Sequence, residues 1–264
     1  MTYLVAIILG FVQGATEFIP ISSSGHLILV RDLLGENNSS GLAFDAVLQL
    51  STSFAVLVYF WKDIVNLFKT FISYVMGSSV VGEENRTLFL SLFFGTLPAI
   101  FFGLVLESKM ETIFRDSYLV AISLILGSLL IYYSQHVAKM DKNLNIKNGA
   151  LIGFFQILAL IPGVSRSGAT ISGGLILGLN KSDAVKFSFL LSFPILFGSG
   201  FKKLFDVRES LAGEFGLSLL LGSVVAFIVG FFAVGFLVKY LRNNNFNLFI
   251  WYRIALASLI ILLV

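Results

Sequence analysis

The sequence predicts an all-α integral membrane protein: six transmembrane helices plus two re-entrant helix-loop-helix hairpins, arranged as inverted-topology repeats. Composition carries the first part of this. Of 264 residues, 57% are hydrophobic and 12% charged, with a mean hydropathy of +0.92, where a soluble domain carries about 25% charged residues. The second part rests on two polar patches inside apolar stretches. One reads Gln13-Gly-Ala-Thr-Glu17-Phe-Ile-Pro20-Ile-Ser-Ser-Ser-Gly25-His26, and the other Gln156-Ile-Leu-Ala-Leu-Ile-Pro162-Gly-Val-Ser-Arg166-Ser-Gly168-Ala-Thr170. Each follows Gly-Phe-x-Gln, has a Pro six or seven residues after the Gln, and then a Ser- and Gly-rich run.

The elements follow from length and interruption. A span needs about 20 apolar residues. Six stretches supply them: Ala43–Trp61, Thr87–Leu106, Tyr118–His136, Ala184–Phe201, Leu217–Tyr240 and Phe246–Val264. Thr2–Val30 and Gly149–Gly178 are long enough, but Pro, Ser and Gly break each of them mid-way. Irregular backbone at membrane depth survives only inside protein or against a wet cavity, so each reads as a re-entrant hairpin.

The order hairpin, span, span, span then occurs twice in one membrane domain, 1–264, with repeats at about 1–137 and 144–264. Gly10-Phe-Val-Gln aligns with Gly153-Phe-Phe-Gln, and Asp45-Ala-Val with Asp183-Ala-Val, at offsets of 143 and 138 residues. Three spans per repeat is odd, so the second copy sits upside down, with broken helices meeting near the midplane.

Basic residues in short loops set orientation. Lys62, Lys69, Arg86, Lys139, Lys142, Lys147, Lys181, Lys186, Lys239 and Arg242 fall on one side. Arg31, Lys109, Arg115, Lys202, Lys203 and Arg208 fall on the other. The first side is expected to be cytoplasmic, so the first hairpin opens outward. Met1 to Gln13 has no Lys or Arg, so a cleavable signal peptide is not expected. The absence of Cys excludes disulfides and Cys-based metal sites. The net charge of +3 forms no basic stripe, so there is no nucleic-acid footprint.

The chemistry concentrates in the two patches. Gln13 and Glu17 are four apart and share a helix face; an acid at membrane depth marks a functional site unless it is only a hydrogen-bonded structural group. Ser22, Ser23, Ser24 and Gly25 form an N-cap run whose N–H groups suit an anion, phosphate above all. His26 lies one helical turn after Ser23, where a hydroxyl beside an imidazole makes a nucleophile–base pair. Arg166, between Ser165 and Ser167 and followed by Gly168 and Thr170, presents a planar fork that matches phosphate oxygens. Its structural alternative is an ion pair with Glu17. Arg253 sits inside the last apolar stretch, where it can snorkel toward the cytoplasmic face or join the site. His136, the other His, is expected at a helix end.

Taken in order, Q-x-x-x-E, S-S-S-G-H and P-G-x-S-R-S-G-A-T resemble the undecaprenyl-diphosphate phosphatases, also called bacitracin-resistance proteins. The resemblance covers the whole chain and includes the late Tyr-Arg. It implies removal of the terminal phosphate of undecaprenyl diphosphate, giving the monophosphate carrier used in peptidoglycan synthesis, in a bacterial plasma (inner) membrane with the site opening to the outer face. It implies catalytic roles for Glu17, Ser23, His26 and Arg166. Substrate binding falls to Gln13, Ser22, Ser24, Gly25, Ser165, Ser167, Gly168, Thr170 and Arg253. It also implies Mg²⁺ or Ca²⁺ at Glu17. Many members have Glu where this chain has Gln13, which can ligate or hydrogen-bond but cannot act as a base. Partners are the lipid substrate, membrane lipids and, as one assembly it leaves open, a homodimer; bacitracin acts on the substrate, not the protein. Whether Ser23 attacks or His26 activates water is open at this level.

Ser24-Gly25-His26 and Ser165-Arg166 also resemble type-2 phosphatidic acid phosphatases. That class needs a later His and an early Lys-rich motif, and no His follows His136. The competing functional class is a polyprenyl-phosphate transporter or flippase, since inverted repeats and broken helices are also a transporter architecture. Transport gives no reason for His26 beside a serine.

Overall fold

A computed structural model describes residues 2–36, 41–77, 82–112 and 116–263, with backbone alone at 107–112 and 263. Among the described residues the chain is all helix with no strand. In order come α1 (Tyr3–Glu17), α2 (Ser23–Leu34), α3 (Gly41–Tyr59), α4 (Trp61–Val75), α5 (Glu83–Thr112) and α6 (Ser117–Val137). They are followed by α7 (Ile146–Ile157), α8 (Arg166–Ile176), α9 (Lys181–Asp206), α10 (Glu214–Asn243) and α11 (Asn247–Leu263).

Side-chain caps fix where most of these begin. Thr2, Ser22, Asp116, Asn145, Ser165 and Asn180 each accept a backbone N–H from the first turn of the helix that follows, which satisfies donors the helix itself cannot use. Five helices, α3, α5, α6, α9 and α10, are long and apolar enough to cross a membrane, and α11 is an apolar helix of 17 residues. The protein is therefore a multi-pass helical membrane protein. The six expected spans correspond to these six helices, and α5, α9 and α10 run several residues past their expected ends. Val264 lies outside the described residues.

One helix was not expected. α4 carries Trp61, Ile64, Leu67, Phe68 and Phe71 among Lys62, Asp63, Asn66 and Lys69, and buries only Thr70 and Ser73. Its apolar residues recur at helical period rather than in a continuous run, so a hydropathy window averages them away. Lys186 of α9 pairs with Asp63 of α4 at 2.6 Å.

Both broken stretches are helix–break–helix hairpins: α1 and α2 about residues 18–22, α7 and α8 about residues 158–165, where a 3₁₀ turn covers Leu158–Leu160. The first hairpin's leading helix packs along α10, and the second's packs along α5. Each seam is closed by glycine. A Cβ at Gly10 would collide with the Gly222 carbonyl, and one at Gly153 with the Gly95 carbonyl. α3 packs on α9 and α6 on α11. The main apolar core runs through Phe18, Phe187, Phe189 and Leu237, with the Phe18 and Phe189 rings edge-to-face at 5.3 Å.

The loops that set the predicted orientation hold one surprise. Arg31 is almost fully buried and paired with Asp45 of α3, so it ties α2 to α3 rather than sitting in a loop. The side chains of Lys109 and Arg115 lie outside the described residues.

Candidate active site

The two hairpin breaks adopt the same unusual turn. Ser22 has φ +74° and Ser165 φ +75°, a left-handed conformation that costs a non-glycine residue about 1–2 kcal/mol. Each serine hydroxyl accepts the N–H three residues on: Gly25 to Ser22 at 3.3 Å and Gly168 to Ser165 at 3.2 Å. Each also meets the serine two residues on at 3.2 Å, Ser24 in one turn and Ser167 in the other. The consequence is to start α2 at Ser23 and α8 at Arg166, so that the first residue of each helix projects beside the N-terminal N–H groups.

Those two first residues meet on one carboxylate. Arg166 Nη2 donates to Glu17 Oε1 at 2.6 Å. Ser23 Oγ and Gln13 Nε2 both donate to Glu17 Oε2 at 2.7 Å. Glu17 is 6% exposed and Gln13 fully buried. A buried carboxylate with three donors, one of them charged, is held as an acceptor. The positive ends of α2 and α8 flank it, which favours negative charge there. Two polar atoms of this cluster are buried without a partner, Arg166 Nη1 and Gln13 Oε1. An unmet donor and an unmet acceptor on either side of Glu17 cost free energy unless a ligand takes them.

His26 stands apart from this group. Its Nδ1 lies 2.7 Å from the Ser22 carbonyl and its Nε2 2.7 Å from the Tyr252 hydroxyl. The carbonyl can only accept, so Nδ1 carries the proton and Nε2 receives the Tyr252 O–H. The expected Ser23–His26 pair is thus not formed: the partner of Ser23 is Glu17. Nor does Glu17 orient His26. Thr170 is fully buried, donating to the Arg166 carbonyl at 2.8 Å and meeting Ser188 at 2.6 Å; it braces the first turn of α8 from behind.

Arg253 does not snorkel. Its exposure is 0%, and its guanidinium donates to the carbonyls of Pro20 at 3.2 Å, Gly163 at 2.9 Å and Leu124 at 3.0 Å, and to Ser128 Oγ at 3.0 Å. Pro20 and Gly163 belong to the two hairpin breaks, so one side chain of α11 fastens both. The geometry makes it a brace: Nε is shared between the Leu124 carbonyl and Ser128 Oγ, Nη1 holds Pro20, and Nη2 holds Leu124 and Gly163.

Sequence reading missed Tyr252 and Ser128, and gave no role to Gln156, whose amide is buried with neither end partnered. The Tyr-Arg pair in an apolar helix was the one signal for Tyr252. Position alone could not tell its hydroxyl from an interfacial tyrosine.

For a divalent cation the donor set is all oxygen: the unpartnered Gln13 Oε1 beside the Glu17 carboxylate. Among the described residues no group of three His, Cys, Asp or Glu could hold a metal. That is compatible with Mg²⁺, which takes one or two protein oxygens and completes its shell with water and substrate phosphate.

Fold and site together define a polytopic helical membrane protein with a buried carboxylate–guanidinium–hydroxyl cluster where two hairpins meet. The chain belongs to the bacitracin resistance protein BacA family, whose model matches residues 6–259. It is 41% identical to an undecaprenyl-diphosphatase of Moorella thermoacetica over 99% of this chain and 97% of that one. It is 39% identical to that of Paenarthrobacter aurescens, covering 97% and 95%, and 39% identical to that of Thermobifida fusca, covering 100% and 91%.

Proposed function

We propose that this protein is an undecaprenyl-diphosphatase, which hydrolyses the terminal phosphate of undecaprenyl diphosphate and returns the monophosphate carrier to peptidoglycan synthesis. The observation that carries the chemistry is the Glu17 cluster. Ser23 Oγ–H points at a carboxylate 2.7 Å away, and Arg166 beside it keeps one buried N–H donor unused.

Arg166 Nη1 and the N–H groups of α2 and α8 receive the diphosphate oxygens. Ser23 Oγ bonds to the terminal phosphorus as the bridging P–O bond breaks; its proton passes to Glu17 and polyprenyl monophosphate leaves. Water then cleaves the phosphoserine, Glu17 returns the proton to Ser23, and inorganic phosphate departs. Charge on the transferring phosphoryl meets Arg166 and two helix dipoles already in place. Gln13 Oε1 and Glu17 would hold Mg²⁺ or Ca²⁺, which when bound would add to the neutralisation of the diphosphate. The prenyl chain follows the cavity of about 240 Å³ between α2, α6 and α11, lined by Ile28, Leu29, Val120 and Ile260 and reaching the first hairpin at Gly25.

The hairpins are re-entrant from opposite faces, in repeats of about 1–137 and 144–264, and the site opens outward from a bacterial inner membrane. The matched serine turns and mirrored glycine seams support the first statement, and the basic bias of the loops supports the second. The test is release of inorganic phosphate from undecaprenyl diphosphate by purified protein in detergent, with acid quenching to trap phosphoserine at Ser23. Steady release with label on Ser23 is the expected result. Binding without release points to a flippase, because detergent removes the two-sided gradient. Release without label refutes serine attack.

A further inference from the structure

The second hairpin contains its own control for the first. Ser165 makes the same left-handed turn as Ser22, with the same hydroxyl cap on the glycine three residues on. The residue that stands to Ser165 as His26 stands to Ser22 is Ala169, whose N–H reaches the Ser165 carbonyl at 2.9 Å. The turn therefore forms without an imidazole, and His26 is not needed to build it. Yet His26 is 8% exposed, with both ring nitrogens engaged.

The Ser22 carbonyl takes the Nδ1 proton, which leaves Nε2 as the basic nitrogen. Tyr252 of α11 occupies that nitrogen, with the two rings parallel within 4° and their centroids 5.6 Å apart. Tyr252 is also the neighbour of Arg253, which is fixed on the carbonyls of both breaks. Its backbone is thus anchored to the site even though 44% of its surface is exposed.

We propose that Tyr252 is a positioning residue for His26: its hydroxyl holds the imidazole in one orientation and one tautomer, with Nε2 capped until substrate binding displaces the hydroxyl. Nothing covalent changes in this step; one O–H···N bond is exchanged for another, donated by a water or a protonated phosphate oxygen, because Nε2 without a proton can only accept. The charged group felt by His26 is Arg253 on α11, whose guanidinium is engaged by carbonyls and Ser128 rather than by the ring. Among the described residues Tyr252 is the hydrogen-bond partner of Nε2.

The chain has two histidines, so a His136→Gln background leaves His26 as a single imidazole for ¹⁵N NMR in detergent. Tyr252→Phe keeps the ring and removes the hydroxyl. The Nε2 resonance is expected to move to that of an unbonded pyridine-type nitrogen, while Nδ1 stays protonated. With undecaprenyl diphosphate, kcat is expected to fall roughly tenfold, the scale of one lost hydrogen bond, with KM unchanged. An unmoved Nε2 resonance, or an unchanged kcat, overturns the proposal. The kinetic arm rests on the phosphatase reading and the spectroscopic arm does not. A wild-type protein that releases no phosphate therefore sinks that reading alone.

Discussion

Arg253 offers the sharpest test of how the site is held. Its guanidinium makes five hydrogen bonds, to Leu124 twice, Ser128, Pro20 and Gly163. In Arg253→Met a side chain of similar length remains, but the carbonyls of Pro20 and Gly163 lose their donor. Those two lie outside regular helix, whereas the Leu124 carbonyl still accepts from Ser128 Oγ. An orphaned buried acceptor costs about 1–3 kcal/mol, so the pair costs about 2–6 kcal/mol. For a domain of this size that lowers the melting midpoint by roughly 5–20 °C. Pro20 and Gly163 each lie three residues before a first helical residue, Ser23 and Arg166. Loosening both breaks therefore misplaces both groups, and a shift of about 1 Å costs about a hundredfold in rate. The assay is thermal unfolding in detergent alongside phosphate release. Arg253→Lys should resemble Met, because an ammonium on a shorter reach cannot span two carbonyls as a planar fork does. A methionine variant that melts within 2 °C of wild type, by roughly the resolution such shifts require, and turns over normally would refute the brace.

Three further outcomes follow from the geometry. Glu17→Gln removes the charge that balances Arg166 and the base for Ser23; phosphate release should fall by about 10²–10⁴-fold, and retention of more than a tenth of the activity would exclude Glu17 as base. His26→Ala should melt close to wild type, because Ala169 occupies the same place in the second turn, and should lower kcat at least as much as Tyr252→Phe, since it removes the nitrogen that Tyr252 holds; a large drop in melting midpoint would make His26 structural. Gly10→Ala and Gly153→Ala place a methyl against the carbonyls of Gly222 and Gly95. Each should destabilise by about 1–3 kcal/mol, and a large effect in only one would break the equivalence of the two seams.

Much of this was legible in the sequence because membrane helices announce themselves by length and the site by its interruptions. The spans, both hairpins and the shared helix face of Gln13 and Glu17 could be read from spacing and residue type. The ion pair of Arg166 with Glu17 was visible only as an alternative to phosphate binding; the structure forms the pair through one guanidinium nitrogen and leaves the other without a partner. Three things could not be read. Adjacency of Ser23 and His26 along the chain says they share a turn, not that their side chains face each other, and here a carbonyl and Tyr252 claim the imidazole. Arg253 lies more than two hundred residues from Pro20, so only the folded chain could identify its partners. α4 was hidden because its apolar face is a stripe.

The glycine seams bear on how the protein is made. Gly10 leaves the ribosome almost at once, but the backbone it must press against, Gly222, emerges only when most of the chain has been translated. Gly153, by contrast, finds Gly95 already in place. The first hairpin must therefore wait in the translocon or the lipid with Glu17 and Gln13 unsheltered, and the clamp on Pro20 arrives later still, on the last helix. The carboxylate half is completed only once α10 and α11 have been made, and a chain truncated before α10 lacks the backbone that closes its seam.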